Sequence, residues 1–357
     1  MSDIDLENAD NTLIFSGTKE VAENLKFDEL KLQEWFGDNI PSAGKIDKVV
    51  QFKGGQSNPT YKISSTNQVF VLRRKPPGIL LPSAHAVDRE YKVITALQNT
   101  EVPVPKTYGL CEDADIIGTP FFVMDFLDGT VYWDLLLSEK SPQERMEIYA
   151  NKNKVIAELH NVDYESVGLS DYGKPGNYIA RQVSRWTKQY LASETENIPA
   201  MNNLIDWLPP NIPDEDETSI VHGDYRLDNM VFCSNNNVMG VLDWELSTLG
   251  HPIADFNYHC ISWKNIPQLA DQKFCNENGI PTEEEYRNMY SRYTGKKLDE
   301  NWEFYTIFNI FKLAGILQGI MGRVRDGTAA SKHAEERGNQ VAPLAEAAWD
   351  LVEKHYK

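Results

Sequence analysis

The sequence predicts an α+β fold in two lobes, a small β-rich N-terminal lobe followed by a larger, mainly helical C-terminal lobe. Three observations carry this. Short strand-like runs separated by turn residues dominate up to about residue 126. Helical periodicity takes over beyond Gly129. The chain of 357 residues has room for two domains of roughly 100–200 residues each. The expected boundaries are a flexible acidic N-terminus over 1–20, an N-terminal lobe over 21–127 and a C-terminal lobe over 128–357.

The first element, FDELKLQEWF over 27–36, has the spacing of an amphipathic helix. Strand-like runs follow at Ile46–Phe52, Tyr61–Ser64 and Val69–Arg73. Lys53–Thr60, with Gly54, Gly55, Asn58 and Pro59, joins the first two, and Ser65–Gln68 joins the second and third. A proline-rich loop at 76–82 leads into a helix over 84–98, where Ala86, Val87, Tyr91, Ile94 and Leu97 fall at helical spacing. Tyr108–Glu112 and Pro120–Phe126 read as two strands around a turn at 113–119. Helices are expected at 132–138, 142–161, 177–193 and 200–207, short strands at Ser219–His222 and Val238–Asp243, and mostly helix over 265–357.

Composition narrows the function. With 35 Lys+Arg against 53 Asp+Glu the net charge is −18, which argues against nucleic acid or an anionic membrane as partner. The most apolar stretch, Ile307–Met321, is interrupted by Asn309, Lys312 and Gln318 and reads as a buried helix. The opening MSDIDLENAD lacks the basic and apolar regions of a signal peptide. Cys111, Cys233, Cys260 and Cys275 form no C-x-x-C pair, so free thiols in a cytoplasmic protein are expected. With no H-E-x-x-H, the metal to look for is a hard cation held by oxygen.

The most informative segment is Val221-His-Gly-Asp224-Tyr-Arg-Leu-Asp-Asn229-Met-Val-Phe232, followed by Val241-Leu-Asp243-Trp-Glu245. A strand delivers the chain into a tight turn bearing an Asp; an Asn follows five residues later and a second Asp ends the next strand. Isolated Asp and Asn often only cap turns. Flanked by strands and followed by the second Asp, the set suits phosphoryl transfer: one carboxylate for an acceptor hydroxyl, an amide and a carboxylate oxygen for Mg²⁺.

This segment resembles the catalytic loop of the aminoglycoside phosphotransferase and choline kinase family, which carries H-G-D-x-x-x-x-N and shares the protein-kinase-like fold. The resemblance covers roughly residues 45–330. It implies a phosphotransferase with an alcohol group as acceptor, using ATP and Mg²⁺. Asp224 would be the catalytic base or orienter, and Asn229 and Asp243 the metal ligands. Gly54, Gly55, Gln56, Ser57 and Asn58 would form the phosphate loop. Arg73, where a Lys is more usual, would reach the phosphates and pair with Glu90, with Arg74 and Lys75 as the cations a one-residue slip would substitute. Asp125, Phe126 and Leu127 would form the hinge facing adenine. Asp255 is expected to brace the loop through backbone N–H groups, with His222 positioning it and His160 structural.

The partner implied is a small-molecule hydroxyl acceptor, with no nucleic acid and no membrane; oligomeric state is not indicated. Phe70-Val-Leu-Arg-Arg-Lys-Pro-Pro-Gly78, Asp243-Trp-Glu-Leu-Ser-Thr-Leu-Gly250 and Arg337-Gly-Asn-Gln-Val-Ala-Pro343 resemble the subfamily found beside, or fused to, acyl-CoA dehydrogenases. That likeness implies a hydroxyacyl-CoA acceptor, its phosphates met by basic residues such as Arg181, Arg185, Arg323 or Arg325. The alternatives are an aminoglycoside or amino-alcohol kinase and a catalytically quiet ATP-binding protein, although the intact Asp224, Asn229 and Asp243 argue against the last.

Overall fold

The computed structural model describes residues 17–54, 58–78, 85–214, 217–298, 300–326 and 338–357. Its main sheet has six antiparallel strands: β1 (Thr18–Lys19), β2 (Ile46–Phe52), β3 (Thr60–Ser65), β4 (Val69–Arg74), β5 (Thr107–Cys111) and β6 (Phe121–Asp125), in the order β1-β2-β3-β4-β6-β5. Two ribbons complete the β structure, β7 (Ser219–Val221) with β10 (Thr248–Gly250) and β8 (Met230–Phe232) with β9 (Val238–Val241). The α+β, protein-kinase-like class holds.

The chain divides into two compact units, and neither is one contiguous stretch. The first comprises Met1–Tyr172, Arg226–Ser247 and Asn278–Ile280; the second comprises Gly173–Tyr225, Thr248–Glu277 and Pro281–Lys357. The division differs from a boundary at 127/128. Gly129 lies where an added Cβ would sit 2.4 Å from the Phe232 carbonyl oxygen, and Thr130 bridges to Phe232, so the chain past the sheet packs on the β8–β9 ribbon and stays in the first unit.

In the first unit, α1 (Glu29–Asn39) starts at Asp28, whose carboxylate accepts the Leu30 and Lys31 N–H groups. Its Leu32, Trp35 and Phe36 cover one sheet face, packing with Tyr61, Ile63, Phe70, Leu72, Phe121 and Val123. The alternate residues of β4 point to the other face, toward α2 (Val87–Leu97). Then α3 (Pro142–Asn161) opens on a Ser141/Glu144 capping box with Pro142 in its first turn, and ends with His160 buried. No helix forms at 132–138. The Asp134 carboxylate instead accepts the Leu136 and Ser138 N–H groups at 2.8 and 2.7 Å, and Leu137 takes a φ of 50°.

The second unit is built on helices α4 (Tyr178–Ser193), α5 (Pro199–Trp207), α6 (Pro252–Cys260), α7 (Glu283–Thr294), α8 (Trp302–Arg325) and α9 (Val341–Tyr356). α8 is long and apolar enough to cross a membrane by length and composition, but 78% of its most apolar window is buried, where it packs against α4, α6 and α9. Phe256 contacts the rings of Tyr286, Tyr290 and Trp302, which seats α6 on α7 and α8.

Candidate active site

Strand alternation decides which cation of β4 meets α2. Phe70 and Leu72 face the α1 core, so Arg74 follows them; it donates to the Ile117 and Leu25 carbonyls and lies over the Phe27 and Tyr61 rings. Arg73 faces α2. Its Nε sits 2.9 Å from Glu90 Oε2, while Nη2 reaches Asp243 Oδ1 at 2.5 Å and Glu245 Oε2 at 3.9 Å. Arg73 and Glu90 are only 8% and 1% exposed. One guanidinium therefore serves three carboxylates, and these four side chains sum to −2. Burial opposes the Arg73 charge, but Glu90, Asp243 and Glu245 outweigh it and hold the guanidinium protonated. The Glu90 carboxyl is pushed up to about 7, first by burial and then by Asp243 and Glu245, against the pull of Arg73.

The neighbouring pieces of the first unit are braced onto this cluster. Asn58 donates to Glu90 Oε1 at 2.9 Å, and His85 Nδ1 lies 3.1 Å from Asn58 Oδ1. Arg89, next to Glu90, donates to the Tyr172 and Ser247 carbonyls, and Tyr172 Oη lies 2.6 Å from Ser247 Oγ. α2 thus holds both Arg73 and the turn that follows Asp243. Asp243 itself has φ 63° and ψ 62°, a left-handed conformation rare for a residue with a side chain and frequent at functional positions. Buried Trp244 anchors the turn by donating to the Val241 carbonyl at 3.0 Å.

Asn229 ends a short 3₁₀ turn, and the Leu242 N–H donates to its carbonyl at 2.8 Å, so Asn229 and Asp243 flank one hydrogen-bonded point of the β8–β9 ribbon. Their amide and carboxylate oxygens form a hard donor set of the kind Mg²⁺ takes together with substrate phosphates. Among the described residues no group of three or more His, Cys, Asp or Glu side chains has metal-binding geometry.

Of the expected hinge, Asp125 is engaged within the sheet. Its N–H donates to the Lys106 carbonyl, and its carboxylate accepts from Tyr108 Oη at 2.6 Å and Gln68 Nε2 at 2.8 Å. Phe126 stacks on Phe52, with Lys62 Nζ 4.0 Å above its ring, and Leu127 packs at Gly240. Of the expected phosphate loop, Gly54 follows β2 by two residues; Gly55, Gln56 and Ser57 lie outside the described residues. Asn58 is fully buried, its side chain committed to Glu90 and His85.

In the second unit, β7 ends at Val221 and the chain turns through Gly223 at φ 83°, a conformation that favours glycine. Side chains hold this turn. Asp255, 5% exposed near the start of α6, accepts the His222 N–H at 2.8 Å and the Gly223 N–H at 2.9 Å, as expected from the sequence. The Asp224 N–H donates to His222 Nδ1 at 3.3 Å, and Lys312 Nζ donates to the Gly223 carbonyl at 3.3 Å. Asp224 is left part-exposed at the end of this clamped turn.

Sequence reasoning missed Glu245, Arg89 and Lys312. Lys312 left a signal, as the one charged residue within Ile307–Met321. Of the basic candidates, Arg181 donates to the Gly176 and Lys174 carbonyls, Arg185 lies over Trp186 at 5.5 Å, and Arg325 pairs with Asp326 at 2.9 Å. Arg337 lies outside the described residues.

Comparison with known proteins places this geometry in a family. The signature of the phosphotransferase enzyme family matches residues 48–304. A crystal structure from Ralstonia eutropha, provisionally named an aminoglycoside phosphotransferase, is 50% identical, with a TM-score of 0.85 over 92% of this chain and 99% of that one. The aminoglycoside phosphotransferase APH(4)-Ia, in complex with AMP-PNP and hygromycin B, shares only 10% identity and hence the fold alone, with a TM-score of 0.60 over 90% of this chain and 98% of that one. Among curated proteins, mouse acyl-CoA dehydrogenase family member 10 is 46% identical over 88% of this chain and 30% of its own length. Human acyl-CoA dehydrogenase family member 11 is 39% identical over 96% of this chain and 45% of its own length. The chain thus spans less than half the length of these curated relatives. On the family match, and on the relative from Ralstonia eutropha covered almost end to end, the chain belongs to the phosphotransferase enzyme family.

Proposed function

We propose that this phosphotransferase moves the γ-phosphate of ATP to the hydroxyl of a small-molecule acceptor, with Mg²⁺ as cofactor. The observation that carries the reading is the Arg73–Glu90–Asp243 cluster, three residues far apart in sequence gathered on one ion-paired network. Arg73 would contact the nucleotide phosphates, and residues of the phosphate loop would add backbone N–H groups. The backbone at Phe126 and Leu127, with Asp125 behind it in the sheet, would meet adenine. Asn229 and Asp243 would hold the Mg²⁺, which when bound offsets charge on the phosphate oxygens. Asp224 would accept or orient the acceptor's hydroxyl proton, fixed in place by the Asp255 clamp on the preceding residues.

For the acceptor we propose a hydroxyacyl thioester, specifically a hydroxyacyl-CoA. Support comes from relatives named as acyl-CoA dehydrogenase family members, 46% and 39% identical to this chain. Arg181, Arg185 and Lys188 line one groove along α4, a basic stripe in an otherwise acidic chain that suits CoA phosphates. Four free cysteines agree with a cytoplasmic setting. The test is a coupled ADP-release screen of hydroxyacyl-CoAs, CoA-free hydroxy acids, aminoglycosides and amino alcohols. Raised salt should increase KM for the acyl-CoA more than for the free hydroxy acid, because only the former has CoA-phosphate contacts to screen. Faster turnover of a kanamycin-type aminoglycoside than of every hydroxyacyl-CoA would favour the antibiotic-kinase reading suggested by the name of the Ralstonia eutropha structure.

A further inference from the structure

Lys312 lies in the middle of α8, only 7% exposed, among the apolar residues of that helix. Its ammonium donates to the Gly223 carbonyl at 3.3 Å and lies 4.3 Å from the centroid of the Tyr258 ring. A carbonyl and a ring face are modest partners for a buried charge, and an apolar side chain of similar length would suit the helix better. Burial pulls the Lys312 pKa down, with Asp255 and Asp224 opposing it and Arg185 adding to it. A charge kept where packing disfavours it points to a task outside packing.

The atoms Lys312 touches show what that task is. The Gly223 carbonyl and the Asp224 N–H belong to one peptide group. Lys312 holds its carbonyl end and His222 Nδ1 holds its N–H end. Asp255 holds the His222 and Gly223 N–H groups just before it. That peptide carries the Asp224 Cα, and its orientation sets the direction in which the side chain leaves the backbone. A glycine at φ 83° gives the turn freedom that such outside bonds reduce. We infer that Lys312 is a positioning residue for Asp224, clamping the Gly223–Asp224 peptide from α8 so that the Cα–Cβ bond of Asp224 is presented in one direction. This rests on the reading of Asp224 as the group that meets the acceptor hydroxyl.

The test is a double-mutant cycle with Lys312→Met, Asp224→Asn and the pair, reading kcat, acceptor KM, nucleotide Kd and thermal melting. K312M should lower kcat about ten- to hundredfold, leave nucleotide Kd within about twofold, and keep a cooperative melting transition, lowered by the loss of the donor to the buried Gly223 carbonyl. In the D224N background the same change should cost less than about threefold further, because the residue through which Lys312 acts is already disabled. Wild-type kcat in K312M, a full additive loss in the double variant, or loss of the cooperative melting transition would each overturn the inference. D224N at wild-type turnover would remove Asp224 from the reaction and both conclusions with it. An inactive D224N beside a fully active K312M overturns the role of Lys312 alone.

Discussion

The two compact units each fix an aspartate, and they do so by opposite means. In the first, Asp243 is held by its carboxylate: Arg73 grips it at 2.5 Å while also pairing with Glu90. In the second, the backbone at Asp224 is held through His222, Lys312 and the Asp255 clamp on the two preceding residues, and the residue is part-exposed. A carboxylate gripped by an arginine changes partner when a ligand with competing charge arrives. A residue fixed through its peptide keeps the direction of its Cα–Cβ bond whatever its carboxylate meets. The first arrangement suits a group that must take up a cation and phosphates, the second a group that must be aimed before an acceptor enters.

The sharpest way to break this contrast is Asp224→Asn. Turnover should fall by about 10²–10⁴, the usual worth of a positioned acid–base group, with nucleotide affinity nearly unchanged in calorimetry with a nonhydrolysable ATP analogue. Asp243→Asn should weaken Mg²⁺-dependent nucleotide binding as well as turnover; equal loss of nucleotide binding in the two variants would reverse the assigned roles.

Next in size is Arg73→Met, which strands Glu90, Asp243 and Glu245 without their shared cation. Breaking a buried pair in this way should cost about 3–5 kcal/mol, read as a lowered urea midpoint, and Arg73→Lys should recover part of it. Asp255→Asn attacks the other arrangement. It replaces a charged acceptor of two buried N–H groups and should cost about 1.5–3 kcal/mol together with a drop in kcat.

The smallest effect concerns pH. The Glu90 carboxyl sits at about 7 in the fold, above the ordinary glutamate value of roughly 4.3. The contribution of its protonated form is fully present below the unfolded value and is lost as pH rises through about 7. Nucleotide-free Glu90→Gln cannot ionise there, so its stability relative to wild type should improve between pH 5 and pH 8. A difference that stays constant over that window would mean Arg73 keeps Glu90 ionised throughout.

Much of this molecule was legible in the chain alone, for local reasons. Ile46–Phe52 and Pro142–Asn161 form where their own residues specify them, the first by strand-forming side chains between turn residues, the second by the Ser141–Glu144 box and Pro142. The order His222-Gly-Asp224, Asn229, Asp243 pointed to the phosphotransferase family because the residues that resemble it lie within one short stretch of sequence. Where two local preferences competed, the sequence misled: 132–138 has helical spacing, yet Asp134 captures the N–H groups a helix would need. The strands Met230–Phe232 and Thr248–Gly250 were not expected from the sequence; each has three residues and takes its place by pairing with a partner strand. The family resemblance already paired Arg73 with Glu90; the tertiary structure contains that pair and shows why Arg74 does not take its place, since a one-residue slip exchanges the two faces of a strand and packing against α1 sets the register. Tertiary structure alone put Lys312 on the Gly223 carbonyl, 89 residues away, because a contact between distant segments leaves no trace in the local spacing of either.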